Sequence, residues 1–185
     1  MAISEDGWLT GVFGYPVYSL AAETPAEQLR EHAQRHERAL YFAKVASADV
    51  AAVRTLTEAG MYVVDANVTL SRGLERATPT TGSACRIAPL EPAWADDVLD
   101  IAGHCFRTSR FHLDPEIPDA LAHRVKREWI RSYVEGRRGV ELLVALLDNR
   151  PAGFLAVLEH ERDGRCVRVI DLVGVAEEAQ GQGRA

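Results

Sequence analysis

The sequence predicts an α+β chain in two parts, and three observations carry that reading. Capped, helix-length stretches alternate with short apolar runs of strand length. Three such runs stand in succession, 140–147, 153–159 and 166–175, joined by polar turn-forming residues. A stretch without apolar period, 71–84, collects Gly, Pro, Ser and Thr and reads as a linker between the parts. The expected organisation is an N-terminal α/β lobe over 1–70, the linker over 71–84 and a larger α+β domain over 85–185.

In the first part, Thr24-Pro25-Ala26-Glu27 is a capping box with Pro at the first helical position, so a helix is expected over 25–38. Residues 40–45 suit a strand. Val50, Val53 and Leu56 then mark a helix over 48–59 that Gly60 caps. The Val- and Tyr-rich 61–70 reads as a second strand. A helical crossover between two strands is what a parallel pair requires, and an antiparallel arrangement stays open.

Past the linker, 85–90 suits a strand. A helix over 93–106 puts Trp94, Val98, Ile101, Ala102 and Cys105 on one face. Pro115 and Pro118 favour extended backbone before them, so 107–118 is expected as a non-helical loop. Asp119 is placed to cap a second helix that runs to Glu135 before Gly136. The three apolar runs that follow form an antiparallel meander, connected through 148–152 and 161–164.

Composition narrows the function classes. The chain has 185 residues, 47% hydrophobic and 26% charged, the balance of a soluble globular protein. Its longest apolar runs fall far short of the roughly 20 residues of a membrane span. The first residues lack the basic and apolar regions of a signal peptide, which makes the cytoplasm the expected address. A net charge of −6 lacks the footprint of a nucleic-acid binder. Cys85, Cys105 and Cys166 are scattered and odd in number, as reduced structural thiols would be. His32, His36, His104, His123 and His160 share no ligand spacing with carboxylates or cysteines, so no metal is expected. Lys44 and Lys126 are the only lysines among 21 basic residues, which leaves 19 arginines. Arginine forks grip phosphate, and codon bias of a GC-rich genome explains the count equally well.

The chemistry-bearing motif follows the last apolar run. In Gln180-Gly181-Gln182-Gly183-Arg184-Ala185 the two glycines let several N–H groups converge on one point, and such a nest binds an anion, above all before a helix N-terminus. The loop matches neither G-x-x-x-x-G-K-[ST] nor the full G-x-G-x-x-G. Taken alone, a G-x-G is a surface turn more often than a site.

The order strand, two helices, antiparallel meander and then Gln180-x-x-Gly183-x-Ala185 resembles the GNAT superfamily of N-acetyltransferases, whose pyrophosphate loop reads Q/R-x-x-G-x-G/A after the fourth strand. The resemblance implies that acetyl-CoA is the cosubstrate and that its pyrophosphate sits on Gln180, Gly181, Gln182, Gly183, Arg184 and Ala185. It further implies that Val173, Gly174 and Val175 meet the pantetheine and thioester along a strand splayed by a bulge. Phe106-Arg107-Thr108-Ser109-Arg110-Phe111-His112, Trp129-Ile130 and the opening Trp8-x-x-x-x-Phe13-Gly14 look like the dTDP-fucosamine acetyltransferase group, over 8–185. That group acetylates the amine of a nucleotide-linked 4-amino-4,6-dideoxy sugar. Residues 40–70 are also similar to the strand, helix, strand that closes a GNAT domain.

The resemblance places Arg110, Phe111 and His112 at the acceptor site, where arginine is the natural phosphate fork; packing and helix capping are the competing roles. By the period of two, Asp171 shares a strand face with Val173 and Val175, where it could hold a water that relays the amine proton or, equally, pair with Arg168 or Arg165. Trp129 and Tyr133 stand four apart, a spacing that favours core packing over stacking on a base or sugar. The thiolate's proton donor in this family is usually a tyrosine on a helix beyond the loop. The resemblance therefore implies a protein roughly 50 residues longer, with 1–185 an inactive fragment whose open sheet edge is prone to association, leaving room for a homodimer. The competing expectations are a GNAT acting on another small amine or a protein, and a CoA-binding module without catalysis.

Overall fold

The computed structural model describes residues 2–73 and 85–181. The linker from 74 onward and the loop residues Gln182, Gly183, Arg184 and Ala185 lie outside the described residues. The fold is α+β, with six α-helices and two sheets among the described residues, in which antiparallel pairing predominates. It divides into two compact units, Met1–Ala66 and Asn67–Ala185.

The first unit runs β1 (Ile3–Glu5), α1 (Gly7–Phe13), β2 (Val17–Leu20), α2 (Ala26–Ala33), β3 (Leu40–Ala43) and α3 (Val50–Glu58). β1 pairs antiparallel with β2, and β2 pairs parallel with β3. The parallel pair and its helical crossover thus exist, but they use β2, α2 and β3. The strand expected over 61–70 is absent. Tyr62, Val63, Val68 and Leu70 are exposed and 61–70 joins neither sheet, so its strand-like composition stays irregular. The strands β1 and β2 are too short to show a period, whereas α1 carries legible caps. Asp6 Oδ1 accepts the Leu9 N–H at 2.9 Å, and Gly14 follows with φ +76°.

The expected capping box is also corrected. Pro25 is the N-cap of α2 and makes no side-chain cap bond. Thr24 is buried instead, its hydroxyl 2.8 Å from the Ala2 carbonyl and 2.7 Å from that of Ala21, so it ties the chain start to the loop. α2 stops at Ala33, short of 38, because Leu29 is its single buried residue and no apolar face carries the helix further. Gly60 does cap α3: the Met61 N–H reaches the Leu56 carbonyl and the Gly60 N–H reaches Thr57, a Schellman pair.

The second unit runs β4 (Arg86–Pro89), a 3-10 turn (Pro92–Trp94), α4 (Ala95–His104), α5 (Arg110–Leu113), α6 (Asp119–Val134), β5 (Glu141–Leu147), β6 (Arg150–Arg162), β7 (Arg165–Val175) and a second 3-10 turn (Glu177–Ala179). β5, β6 and β7 form the expected antiparallel meander, and β4 adds antiparallel to β5, giving the order β4-β5-β6-β7. In β5, Leu142, Val144 and Leu146 point inward and alternate with less buried neighbours. They join Val98, Leu99 and Ala102 of α4, Ile130 and Tyr133 of α6, and Phe154 and Ala156 of β6 in one core beneath the helices.

The connections are tighter than expected. Asp148-Asn149 and Asp163-Gly164 each have two positive-φ residues, the signature of a two-residue type I′ hairpin, so β6 begins at Arg150 and runs through Pro151. The loop over 107–118 contains one short helix, α5. Its Asp114 side chain accepts the Glu116 N–H, and Ile117 is buried between the two prolines. Asp119 is the first residue of α6, whose N-cap is Pro118 without a side-chain bond, so the expected Asp119 cap is not made.

Candidate functional site

The site grows from a register shift. Ala156 pairs with Leu172 while Val157 pairs with Ile170, so Asp171 is the extra residue of a β-bulge in β7. The bulge breaks the period of two. Asp171 turns toward α6, with Leu172 and Gly174 also on the helix side, while Val173 lies on the opposite, exposed face. The expected sharing of a face by Asp171, Val173 and Val175 is therefore not what the strand does.

Asp171 is held by four bonds. Its Oδ2 accepts Trp129 Nε1 at 2.8 Å, the Tyr133 hydroxyl at 2.7 Å and Arg138 Nε at 2.8 Å, and its Oδ1 accepts Arg138 Nη2 at 3.1 Å. Neither Arg168 nor Arg165 is its partner; Arg168 spans Glu141 and Glu159. Burial raises the Asp171 pKa, and the donors from Arg138, Trp129 and Tyr133 outweigh that to hold it below the usual carboxylate range. The Tyr133 phenol is pushed up, first by burial and then by its bond to the carboxylate. Arg138 arrives because α6 ends in a second Schellman turn at Gly136, and Gly139, φ +69°, leaves room for the Tyr133 ring.

Beyond the bulge the main chain opens. The Ala176 N–H donates to the Ala152 carbonyl at 2.8 Å, which makes 176/152 a hydrogen-bonded pair of the ladder. Alternation then turns the N–H and C=O of Val173 and Val175 away from β6, toward the edge where no further strand pairs among the described residues. Gly174 is buried: a Cβ there would lie 2.6 Å from the Phe154 ring and 2.8 Å from Cys105 Sγ. Burial pushes the Cys105 thiol up to about 11, against the opposing pull of the Val175 N–H directed at its sulfur.

The turn after β7 is fastened at both ends. Gln180 Nε2 donates to the Val175 carbonyl at 2.9 Å, and Gly181 takes φ +70°. Arg107 Nη2 meets both Glu177 carboxylate oxygens, at 3.2 and 3.3 Å, which ties the loop before α5 to the turn after β7.

The third side is aromatic and cationic. Lys126, only 7% exposed, has its Nζ 4.8 Å from the Phe106 ring centre, 5.5 Å from Trp129 and 5.9 Å from Phe111. Phe111 is itself buried, with the Arg110 guanidinium 4.6 Å over its ring. His112 Nδ1 meets Ser109 Oγ at 2.7 Å and His112 Nε2 meets His123 Nδ1 at 3.2 Å. Of the residues expected to form the site, Val173, Gly174, Val175, Gln180 and Gly181 thus gather at the end of β7, and Arg110, Phe111 and His112 share one short helix.

Sequence reasoning missed Arg138, Lys126, Cys105 and the Ser109–His112–His123 chain. The Gly136-x-x-Gly139 spacing signals a sharp return after α6, and the Ser109/His112 spacing of three fits one helical turn. Nothing in the sequence marks the bulge.

No protein-family model matches the chain. The chain is similar to the spore coat polysaccharide biosynthesis protein SpsD of Bacillus subtilis, with 29% identity over 96 residues, which is 52% of this chain. The match spans about a third of that relative, 32% of its length. No helix among the described residues is long and apolar enough to cross a membrane.

Proposed function

We propose that the protein is an acetyl-CoA-dependent N-acetyltransferase of the GNAT type that acetylates the amine of a nucleotide-linked amino sugar. The observation that carries this reading is the outward-turned main chain of Val173, which no strand pairs among the described residues, beside the Gln180–Gly181 turn that is fastened to the Val175 carbonyl. An extended pantetheine arm adds to such an edge as a strand would, and the glycine-rich turn offers N–H groups to a pyrophosphate. The similarity to a spore coat polysaccharide biosynthesis protein supports a sugar-linked acceptor.

In this reading the neutral amine attacks the thioester carbonyl, and a strand N–H such as that of Val173 stabilises the developing oxyanion. The C–S bond then breaks and the thiolate takes a proton. Asp171, already holding four donors, fixes β7 to α6 and so sets where the free edge begins. Arg110 serves the acceptor's phosphate.

Titration calorimetry with acetyl-CoA tests the reading. The wild-type full-length protein binds it, and Gly183→Glu, which adds a side chain and a negative charge to the loop whose sequence suits an anion nest, abolishes binding. Equal binding by both proteins would remove the loop from the site.

A further inference from the structure

A hydrogen-bonded chain of three side chains links α5 to α6. Ser109 Oγ meets His112 Nδ1 at 2.7 Å, and His112 Nε2 meets His123 Nδ1 at 3.2 Å. All three are half-buried: Ser109 is the N-cap of α5, His112 lies on α5 and His123 on α6. One set of protons satisfies both contacts: Ser109 donates to His112 Nδ1, and His112, protonated at Nε2, donates to His123 Nδ1. The reverse set satisfies them equally, with His123 donating to His112 and His112 donating to Ser109. A chain that is complete in both polarities can pass a proton from end to end with no side chain moving.

Its position follows from the contacts around it. Arg107, two residues before Ser109, is clamped to Glu177 of the turn after β7. Lys126, one turn beyond His123 on α6, acts electrostatically on both His112 and Cys105, and the Cys105 sulfur receives the Val175 N–H. The charged and titratable groups that face His112 are His123, Lys126 and Asp119 of α6 and Arg107 of the preceding loop. Burial first, then His123, Lys126 and Arg107, lower the His112 pKa against the opposing pull of Asp119. At neutral pH the imidazole is therefore uncharged and able to accept a proton.

We infer that Ser109, His112 and His123 are a proton relay that removes the proton released by the acceptor amine and delivers it to solvent, an inference that rests on the acetyl-transfer reading. As the amine lone pair bonds to the thioester carbon, the amine proton passes to Ser109 Oγ while the Ser109 proton passes to His112 Nδ1. The His112 Nε2 proton moves to His123 Nδ1, and the resulting imidazolium gives a proton to water. The thiolate leaves with the electrons of the C–S bond and takes a proton from solvent, so amine and acetyl-CoA become amide and CoA. Ser109 is the one member that meets the amine, and His112 and His123 act through it.

The test follows kcat/KM against pH for the full-length protein with acetyl-CoA and an accepted amine. His112→Gln lowers kcat/KM roughly 100- to 1000-fold at pH 7, with KM for acetyl-CoA unmoved. Its profile loses the imidazole limb and follows only the acceptor amine. Nitrogen-15 NMR without substrates supplies the second readout: because His123 helps hold the His112 pKa down, His123→Gln returns His112 toward the ordinary histidine range. An active His112→Gln variant within threefold of wild type and with an unchanged pH profile overturns the relay alone, as does a His112 titration that His123→Gln leaves unmoved. A wild type that acetylates no amine overturns the acetyl-transfer reading itself.

Discussion

The Tyr133 hydroxyl donates to Asp171 Oδ2 over 2.7 Å, joining the last turn of α6 to the bulged residue of β7. Trp129, one helical turn earlier, and Arg138, just past the helix, converge on the same carboxylate. A bulge leaves a residue without its ladder partner. Here that residue is fixed by side chains, and the main chain beyond it is set outward.

Removing the charge tests this anchor. The Asp171 side chain is 11% exposed, while that of Arg138 is 37% exposed and partly screened. Asp171→Asn should therefore cost about 2 kcal/mol at pH 7, a fall in Tm of about 4–8 °C for a chain of this size. Because the folded pKa is depressed, the carboxylate's contribution is present above its unfolded value of about 4 and disappears as pH falls through the folded value. Thermal scans from pH 7 to pH 2 should show wild type and Asp171→Asn converging in acid. A constant gap across that range would mean the anchor is not ionic.

Gly139 tests the same anchor from behind. A Cβ at this position would overlap the Tyr133 ring and come 2.7 Å from the Val157 carbonyl, and φ +69° already disfavours a side chain. Gly139→Ala should cost about 1–2 kcal/mol from the backbone alone and more from displacing the ring. A blunted near-ultraviolet signal from Trp129 and Tyr133 should accompany the lower Tm. An unchanged spectrum and Tm would show that the ring has room to move.

Cys105 offers a chemical readout of the packing at Gly174. With its pKa pushed up to about 11 from an ordinary 9.0, the thiolate fraction at pH 8 is about 100-fold below that of a free thiol. In a Cys85→Ala, Cys166→Ala background, alkylation should be slow at pH 8 and still accelerating at pH 10. A rate that levels off near pH 9 would show an open, unshifted thiol.

Much of the second unit was legible because its strands are long and its turns chemically explicit. Leu142, Val144 and Leu146 announce the buried face of β5, and Asp148-Asn149 and Asp163-Gly164 announce the hairpins. The first unit was harder. Three- and four-residue strands such as β1 and β2 carry too little pattern, and 61–70 has strand chemistry but joins neither sheet. At the site, the clustering of Val173, Val175 and Gln180 follows from their nearness in sequence. The reversal of Asp171 does not, because a bulge is a property of two paired strands and no single strand encodes it. The Arg138 contact crosses 33 residues and depends on that bulge.

In the proposed reading Arg110 belongs to the acceptor side and not to the cosubstrate side. It sits on α5 above Phe111, away from the Gln180 turn in sequence and held by a different element. Arg110→Ala should raise KM for a sugar-nucleotide acceptor about tenfold, as loss of one charged hydrogen bond predicts. KM for acetyl-CoA should stay within twofold. Equal effects on both substrates would move Arg110 out of the acceptor site.

Product analysis tests the central claim most directly. The full-length protein is incubated with acetyl-CoA and a dTDP-linked 4-amino-4,6-dideoxy sugar, and both free CoA and product mass are followed. Acetyl transfer to the sugar amine predicts one CoA released per sugar and a product heavier by one acetyl group, formed by the wild type and not by Gly183→Glu. Release of CoA without an acetylated sugar, or no consumption of acetyl-CoA across a panel of amino-sugar nucleotides, would contradict it.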